Sequence, residues 1–125
     1  MEGGVVSHDI RILAGILLLS LVTVETGGIY LVKLVGGSAP ATPFQMSFAR
    51  AGHAHAGVLL ILSLTALLYA DIAHLTGLWG WLSRIGVPAA ALLMPAGFFF
   101  SSMGTGRDRP NALIALVYEI GRAHV

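Results

Sequence analysis

The chain has 125 residues, enough for one small domain. Hydrophobic residues make up 56 % and charged ones 10 %, with a mean hydropathy of +0.84, against about 45–50 % and about 25 % in soluble domains. This leaves too few polar side chains to cover a soluble fold, and it excludes a cytosolic enzyme and a disordered chain. A formal net charge of +1 offers no basic face to nucleic acid, and the absence of cysteine rules out disulfides, Cys-ligated zinc and iron–sulfur sites. What remains is an all-α, polytopic transmembrane helix bundle.

Crossing a bilayer takes about 20 mostly apolar residues in a helix. Ile12–Val35 is one such segment, interrupted by Glu25 and Lys33; Phe48–Tyr69 is the second, with His53 and His55 inside it; Trp79–Ser102 is the third. A fourth begins at Pro110 and turns polar after Tyr118. Short polar connections at Gly36–Thr42 and Gly104–Arg109 predict up-down topology. The apolar run near the start is too long for a signal-peptide core, and Glu2 and Asp9 spoil a positive leader, so the first segment is read as a span.

Local signals set the boundaries. Thr42-Pro43-Phe44-Gln45 has the form of a capping box with proline at the first helical position. Gly36-Gly37 stops the first helix, and Met103-Gly104 stops the third. The expected helices are 10–35, 43–70, 78–103 and 110–118 within a single transmembrane domain, 1–118. Trp79 and Trp81 fall where an interfacial aromatic belt belongs.

The end of the chain has a different expected origin. Ile120-Gly121-Arg122-Ala123-His124-Val125 back-translates to ATC GGA AGA GCA CAC GTC, which matches a common short-read sequencing adapter in one frame, and the next adapter triplet is a stop. Residues 119–125 are therefore expected to be adapter read-through. The fourth segment is then truncated after about eight residues, some 12 Å, too short to span.

Lys33, Arg50, Arg107 and Arg109 lie toward the side of the first and third connections, against Arg11 and Arg84 on the other. This bias makes the first side cytoplasmic and puts the N-terminus outside the cell inner (plasma) membrane.

Few residues carry chemistry. A carboxylate in mid-span costs roughly 2.5 kcal/mol or more on insertion scales, so Glu25 is expected to face the bundle interior and pair. Its neighbours Thr26, Gly27 and Gly28 allow close helix approach. His53 and His55 sit within Arg50-Ala51-Gly52-His53-Ala54-His55-Ala56-Gly57. Two residues is about 200° of helical rotation, so the imidazoles face opposite ways and do not chelate one metal. One histidine is expected to meet Glu25 and the other to bond a backbone carbonyl. By helical rise, Glu25, His53, His55, Pro95 and Tyr118 fall in one layer, about 12–18 Å from the same side. Pro95 also frees the carbonyl of Ala91. Arg50 is expected to snorkel to head groups or to bind an anion near the layer.

Phe48–Asp71, with its Arg-Ala-Gly-His-Ala-His-Ala-Gly run, and the later Pro95-Ala-Gly-Phe-Phe-Phe-Ser-Ser-Met-Gly resemble a group of small uncharacterised bacterial four-helix integral membrane proteins. That resemblance implies a fold and no activity. His53 and His55 are similar to the His-x-His helix of terminal-oxidase catalytic subunits, which implies haem as a cofactor on one or both imidazoles. Glu25 is similar in placement to the essential acid in the first helix of small multidrug transporters, which implies a proton-coupled carrier. Three functions are thus expected in this order: a non-enzymatic membrane protein with a Glu/His polar layer, a haem-binding redox or sensor subunit, and a carrier. Its partners are expected to be the lipid bilayer and either a second copy or a membrane complex, with no nucleic acid.

Overall fold

The computed structural model describes residues 6–123, and those residues form four α-helices and no strand. They are α1 (His8–Val35), α2 (Pro43–Ile72), α3 (Gly77–Ser102) and α4 (Ile114–Ala123). The first three are long and apolar enough to cross a membrane. The fourth has ten residues, about 15 Å, and does not span.

The expected boundaries hold to within two residues for the three long helices. Thr42 and Gln45 form the capping box, with Gln45 N–H donating to Thr42 Oγ1 and Thr42 N–H to Gln45 Oε1, both at 3.1 Å. α1 ends in a Schellman turn, where Ser38 N–H reaches the Lys33 carbonyl at 2.9 Å and Gly37 takes φ +72°. The start of α4 is a correction. The helix begins at Ile114 and not at Pro110, because Asn111 is occupied elsewhere. Its N–H donates to the Ser101 carbonyl and its Nδ2 to the Phe100 carbonyl, both at 2.9 Å, tying this segment to the end of α3. The Asn111 carboxamide oxygen then accepts from Leu113 N–H at 2.9 Å to start the helix. α4 continues through Glu119 to Ala123, so helix is not interrupted at the expected adapter boundary; His124 and Val125 lie outside the described residues.

α2 is the centre of the fold. α1 packs on one side of it and α3 on another, α4 packs on α3, and α1 does not pack substantially against α3. The arrangement is an open array, with a cleft between α1 and α3 over α2. Small residues are buried on both α2 and α3: Ala49, Gly52, Ser63 and Ala70 on α2, and Ala90, Ala91 and Ser101 on α3. Gly97 of α3 faces α4 instead, where an added Cβ would lie 2.6 Å from Val117. Small residues let the backbones approach where lipid supplies no hydrophobic drive. The buried hydroxyls are satisfied within their own helices, Ser63 on Leu59 and Ser101 on Phe98.

The α1–α2 contact is different. Ile10 and Leu17 of α1 meet Leu60 and Leu67 of α2 in one apolar cluster. On both helices the spacing is seven residues, the repeat of an antiparallel left-handed seam. Elsewhere the long helices are apolar and exposed, as lipid-facing surface should be: Leu19, Val32 and Ile61 are 66–74 % exposed. Tyr69, Trp79 and Trp81 are exposed together at the α2–α3 turn end, where the aromatic belt was expected.

Polar ties close the hairpins at their open ends. Asp71, near the end of α2, accepts from Ser7 N–H and Ser7 Oγ, both at 2.8 Å, at the start of α1. Gln45 Nε2, at the start of α2, donates to the Ser102 carbonyl at 3.0 Å and the Gly104 carbonyl at 2.6 Å, at the end of α3. Thr42 Oγ1 donates to the Arg107 carbonyl beside them.

α2 also ends in a Schellman turn, with Leu75 N–H on the Ala70 carbonyl at 3.1 Å and His74 N–H on the Asp71 carbonyl at 3.0 Å. Its left-handed position is held by His74, at φ +50°. A Cβ there costs about 1–2 kcal/mol that glycine does not incur. His74→Gly is therefore expected to be neutral or stabilising, by up to about 1 kcal/mol after the gain in unfolded-chain freedom is subtracted. Thermal denaturation in detergent reads this directly, and a clear loss of stability would show that the imidazole itself holds the turn.

Candidate functional site

The seven-residue seam explains His53. Counting back from Leu67 and Leu60 along α2 gives residue 53, where a third apolar side chain would be expected. The chain places an imidazole there, and α1 answers with Gly27 and Gly28. A Cβ built on Gly27 would lie 3.4 Å from His53 Nδ1, and one on Gly28 would lie 3.3 Å from Cε1 and 3.5 Å from Nε2. The two glycines thus form a notch that receives the edge of the ring. His53 is half-buried and makes no hydrogen bond among the described residues. Neither ring nitrogen is sealed off from the surface.

His55 points the other way, as the 200° spacing requires. Its ring lies against Phe98 of α3, with centroids 5.0 Å apart. It is the far end of a row of rings in which Phe44 meets Phe48 at 4.3 Å and Phe48 meets Phe98 at 5.5 Å. His55 Nδ1 is 2.7 Å from the Ala51 carbonyl. A carbonyl only accepts, so Nδ1 carries a proton and donates, and in the neutral ring that leaves the lone pair on Nε2. This is the expected histidine–carbonyl bond. It is also the tautomer in which a ligating histidine is held by its second shell.

The expected Glu25–histidine pair is not formed. Glu25 is exposed and makes no hydrogen bond or ion pair among the described residues. The physical reason is rotational. The notch that takes His53 is centred between Gly27 and Gly28, and Glu25 is roughly 110° around the helix from that centre at 3.6 residues per turn. Similar depth therefore does not bring the groups together. Arg50 and Tyr118 are also exposed, while Pro95 is buried on α3. Of the expected layer, only His53 and Pro95 border a common space. It follows that a double-mutant cycle of Glu25→Gln with His53→Ala should be additive within about 0.3–0.5 kcal/mol. A larger coupling in thermal stability would restore the pair.

That common space is the cleft between α1 and α3, a cavity of about 360 Å³. His53 and Leu60 of α2 form its floor, Thr23 and Gly27 of α1 one wall, and Pro95 and Phe99 of α3 the other. No charged side chain lines it. A second cavity, of about 680 Å³, sits at the end where Thr42 and Gln45 tie α2 to α3, and it is bordered by Tyr30 and Met103. No group of three or more metal-ligating side chains occurs among the described residues.

The architecture is that of a helical membrane protein with three apolar helices long enough to span. Compared with family models, curated proteins and solved structures, the chain matches none.

Proposed function

We propose that this protein is a non-catalytic, multi-pass subunit of a larger membrane assembly, with the outer face of α1 as its contact surface. One observation carries the reading: Glu25 lies in mid-span, exposed, with no partner among the described residues. An unpaired carboxylate facing lipid is costly, by roughly 2.5 kcal/mol or more. A polar group from a neighbouring subunit offsets that cost. Leu18, Leu21, Ile29 and Val32 flank Glu25 at three- and four-residue steps, and all are exposed. α1 buries the least of the three spans, 6 % of its most apolar window against 22 % and 33 % for α2 and α3. It has the most surface left to offer. We place the subunit in the cell inner (plasma) membrane, with the N-terminus outside on the support of the Lys/Arg bias between its two ends.

The first partner to test is a second copy. The natural lack of cysteine makes single-cysteine reporters clean. In lipid nanodiscs, Leu21→Cys and Ile29→Cys are expected to cross-link between copies, while Leu62→Cys on α2, also exposed, does not. Glu25→Leu is expected to shift the population toward single copies. A chain that stays single in native membranes, and co-purifies with no other membrane protein, would sink the proposal.

A second reading is favoured by one observation, the 2.7 Å contact of His55 Nδ1 with the Ala51 carbonyl. With Nδ1 donating to the Ala51 carbonyl and Nε2 free on an exposed face, the ring is oriented as a haem ligand would be. Among the described residues no second imidazole shares the face of His55, so a haem there would take its other ligand from a neighbouring subunit. A Soret band in the membrane-extracted protein that disappears in His55→Ala supports this reading; its absence in protein made with ample haem excludes it.

A further inference from the structure

We infer that the cleft between α1 and α3 is a binding site for the head group of a lipid-soluble quinone, with His53 as its hydrogen-bonding residue. The inference does not depend on how many copies assemble.

Three features of the cleft lead there. The first is unmet hydrogen-bonding capacity. His53 and Thr23 both border the cavity, from α2 and α1, and neither side chain has a hydrogen-bond partner among the described residues. At this depth water does not solvate them, and each polar group left unpaired in hydrocarbon costs free energy. Ser20, on the same wall as Thr23, shows the contrast: its hydroxyl is already used on the Leu17 carbonyl. The α3 wall adds a further acceptor, since Pro95 has no N–H to give the Ala91 carbonyl and both residues border the cleft.

The second feature is neutrality. The lining holds no acid, lysine or arginine, so a charged ligand would find no counter-charge. A neutral imidazole presents one donor and one acceptor. A quinone carbonyl accepts from the donor, and the hydroxyl of its reduced form donates to the acceptor, so both forms are held by the same ring. The Thr23 hydroxyl serves in either role for a second oxygen.

The third feature is shape and access. About 360 Å³ is at the lower end of small-molecule pockets, which run from about 300 to 1,000 Å³. It suits one substituted ring and not a large macrocycle. Phe99 and Phe100 border the cleft from α3, and Phe100 is exposed at its mouth. A flat ring stacks on such faces. Because α1 and α3 do not close on each other, the mouth opens sideways to lipid, the phase from which a quinone arrives, and its tail can remain there.

The test uses the full chain in nanodiscs of neutral phosphatidylcholine, with decylubiquinone as the probe and nitrogen-labelled histidine as the reporter. The His53 ring resonances are expected to shift saturably, while those of His8 and His74, at the helix ends, do not. His53→Phe is expected to weaken binding by about three- to tenfold, the worth of one hydrogen bond. Leu60→Trp, which fills the floor without touching the imidazole, is expected to abolish saturation. Where either variant fails to fold, the histidine spectra of the unsubstituted chain decide alone. Shifts that grow linearly with probe, or that appear equally at all histidines, mean partition into lipid and overturn the proposal. So does binding that survives both substitutions. A Soret band lost in His53→Phe, with no response to the quinone, would assign the cleft to haem and overturn it as well.

Discussion

Gly80→Ala is expected to be among the most damaging single substitutions in this protein. A Cβ at that position would lie 2.4 Å from the Leu75 carbonyl oxygen and 2.8 Å from its carbon. Both contacts are to backbone, so no side-chain rotation relieves them. The turn cannot easily retreat either. Leu75 N–H is bound to the Ala70 carbonyl at 3.1 Å, Gly80 N–H to the Thr76 carbonyl at 3.2 Å, and His74 and Gly77 already hold positive φ angles. Overpacking of this kind costs typically 1–3 kcal/mol and occasionally more, and a backbone clash belongs at the upper end, about 3 kcal/mol. The measurements are the thermal midpoint in detergent and amide exchange across 73–77, which should accelerate. An unchanged midpoint would mean that the α2–α3 turn has slack.

Gly52→Leu should act at the site itself. A Cβ on Gly52 would meet Phe99 at 3.0 and 3.1 Å and the Phe98 Cβ at 3.2 Å. Alanine asks the Phe99 ring and the Phe98 Cβ to give by a few tenths of an ångström. Leucine inserts a whole side chain between α2 and α3 and should cost roughly 1–3 kcal/mol. The functional effect exceeds the stability effect, because Phe98 supports the His55 ring and Phe99 borders both cavities. Separation of α2 from α3 should release His55 from its stack and reshape the cleft beside His53. Spin-label distances between α2 and α3 should lengthen in the leucine variant and stay near the parent value in Gly52→Ala. Equal distances in all three proteins would show that the Phe98–Phe99 backbone accommodates the insertion.

Much of the fold can be read from residue order alone, because the signals are local. Hydropathy marks the three spans; Thr42-Pro43 and Gly36-Gly37 mark helix ends through bonds made within a few residues. The divergence of His53 and His55 follows from helical periodicity. What order alone does not reveal depends on which faces meet. Glu25 and His53 lie at a common depth, and rotation about α1 decides that the glycines, not the acid, meet the ring. The clue was present in the series 53, 60, 67 on α2, which identifies His53 as a seam position, and in the paired glycines opposite. Asp71 reads as an ordinary interface residue until the fold brings it to Ser7. Gln45 is expected to cap its own helix, and its amide nitrogen additionally holds the end of α3, an outcome set by where the third helix stops. The late start of α4 has the same origin, since Asn111 is held by carbonyls of a different helix.

The positions of the two polar ties have a consequence for how the array comes apart under load. A helical hairpin joined at one end by a short turn peels most readily from the other end, where the two helices are not linked by chain. The Asp71–Ser7 bonds sit at that free end of the α1–α2 hairpin, and the Gln45 and Thr42 bonds sit at that free end of the α2–α3 hairpin. Each hairpin is thereby closed into a loop, half covalent and half hydrogen-bonded. A pull on the N-terminal side, as during extraction by a membrane protease or in a force spectrometer, must break the Asp71–Ser7 tie before the α1–α2 seam begins to unzip; from the other side α4 peels off α3 first, and the Gln45 and Thr42 ties are loaded next. Rupture should therefore come in discrete steps and not as a gradual peel, with the first step for an N-terminal pull assigned to Asp71 and lost in Asp71→Ala.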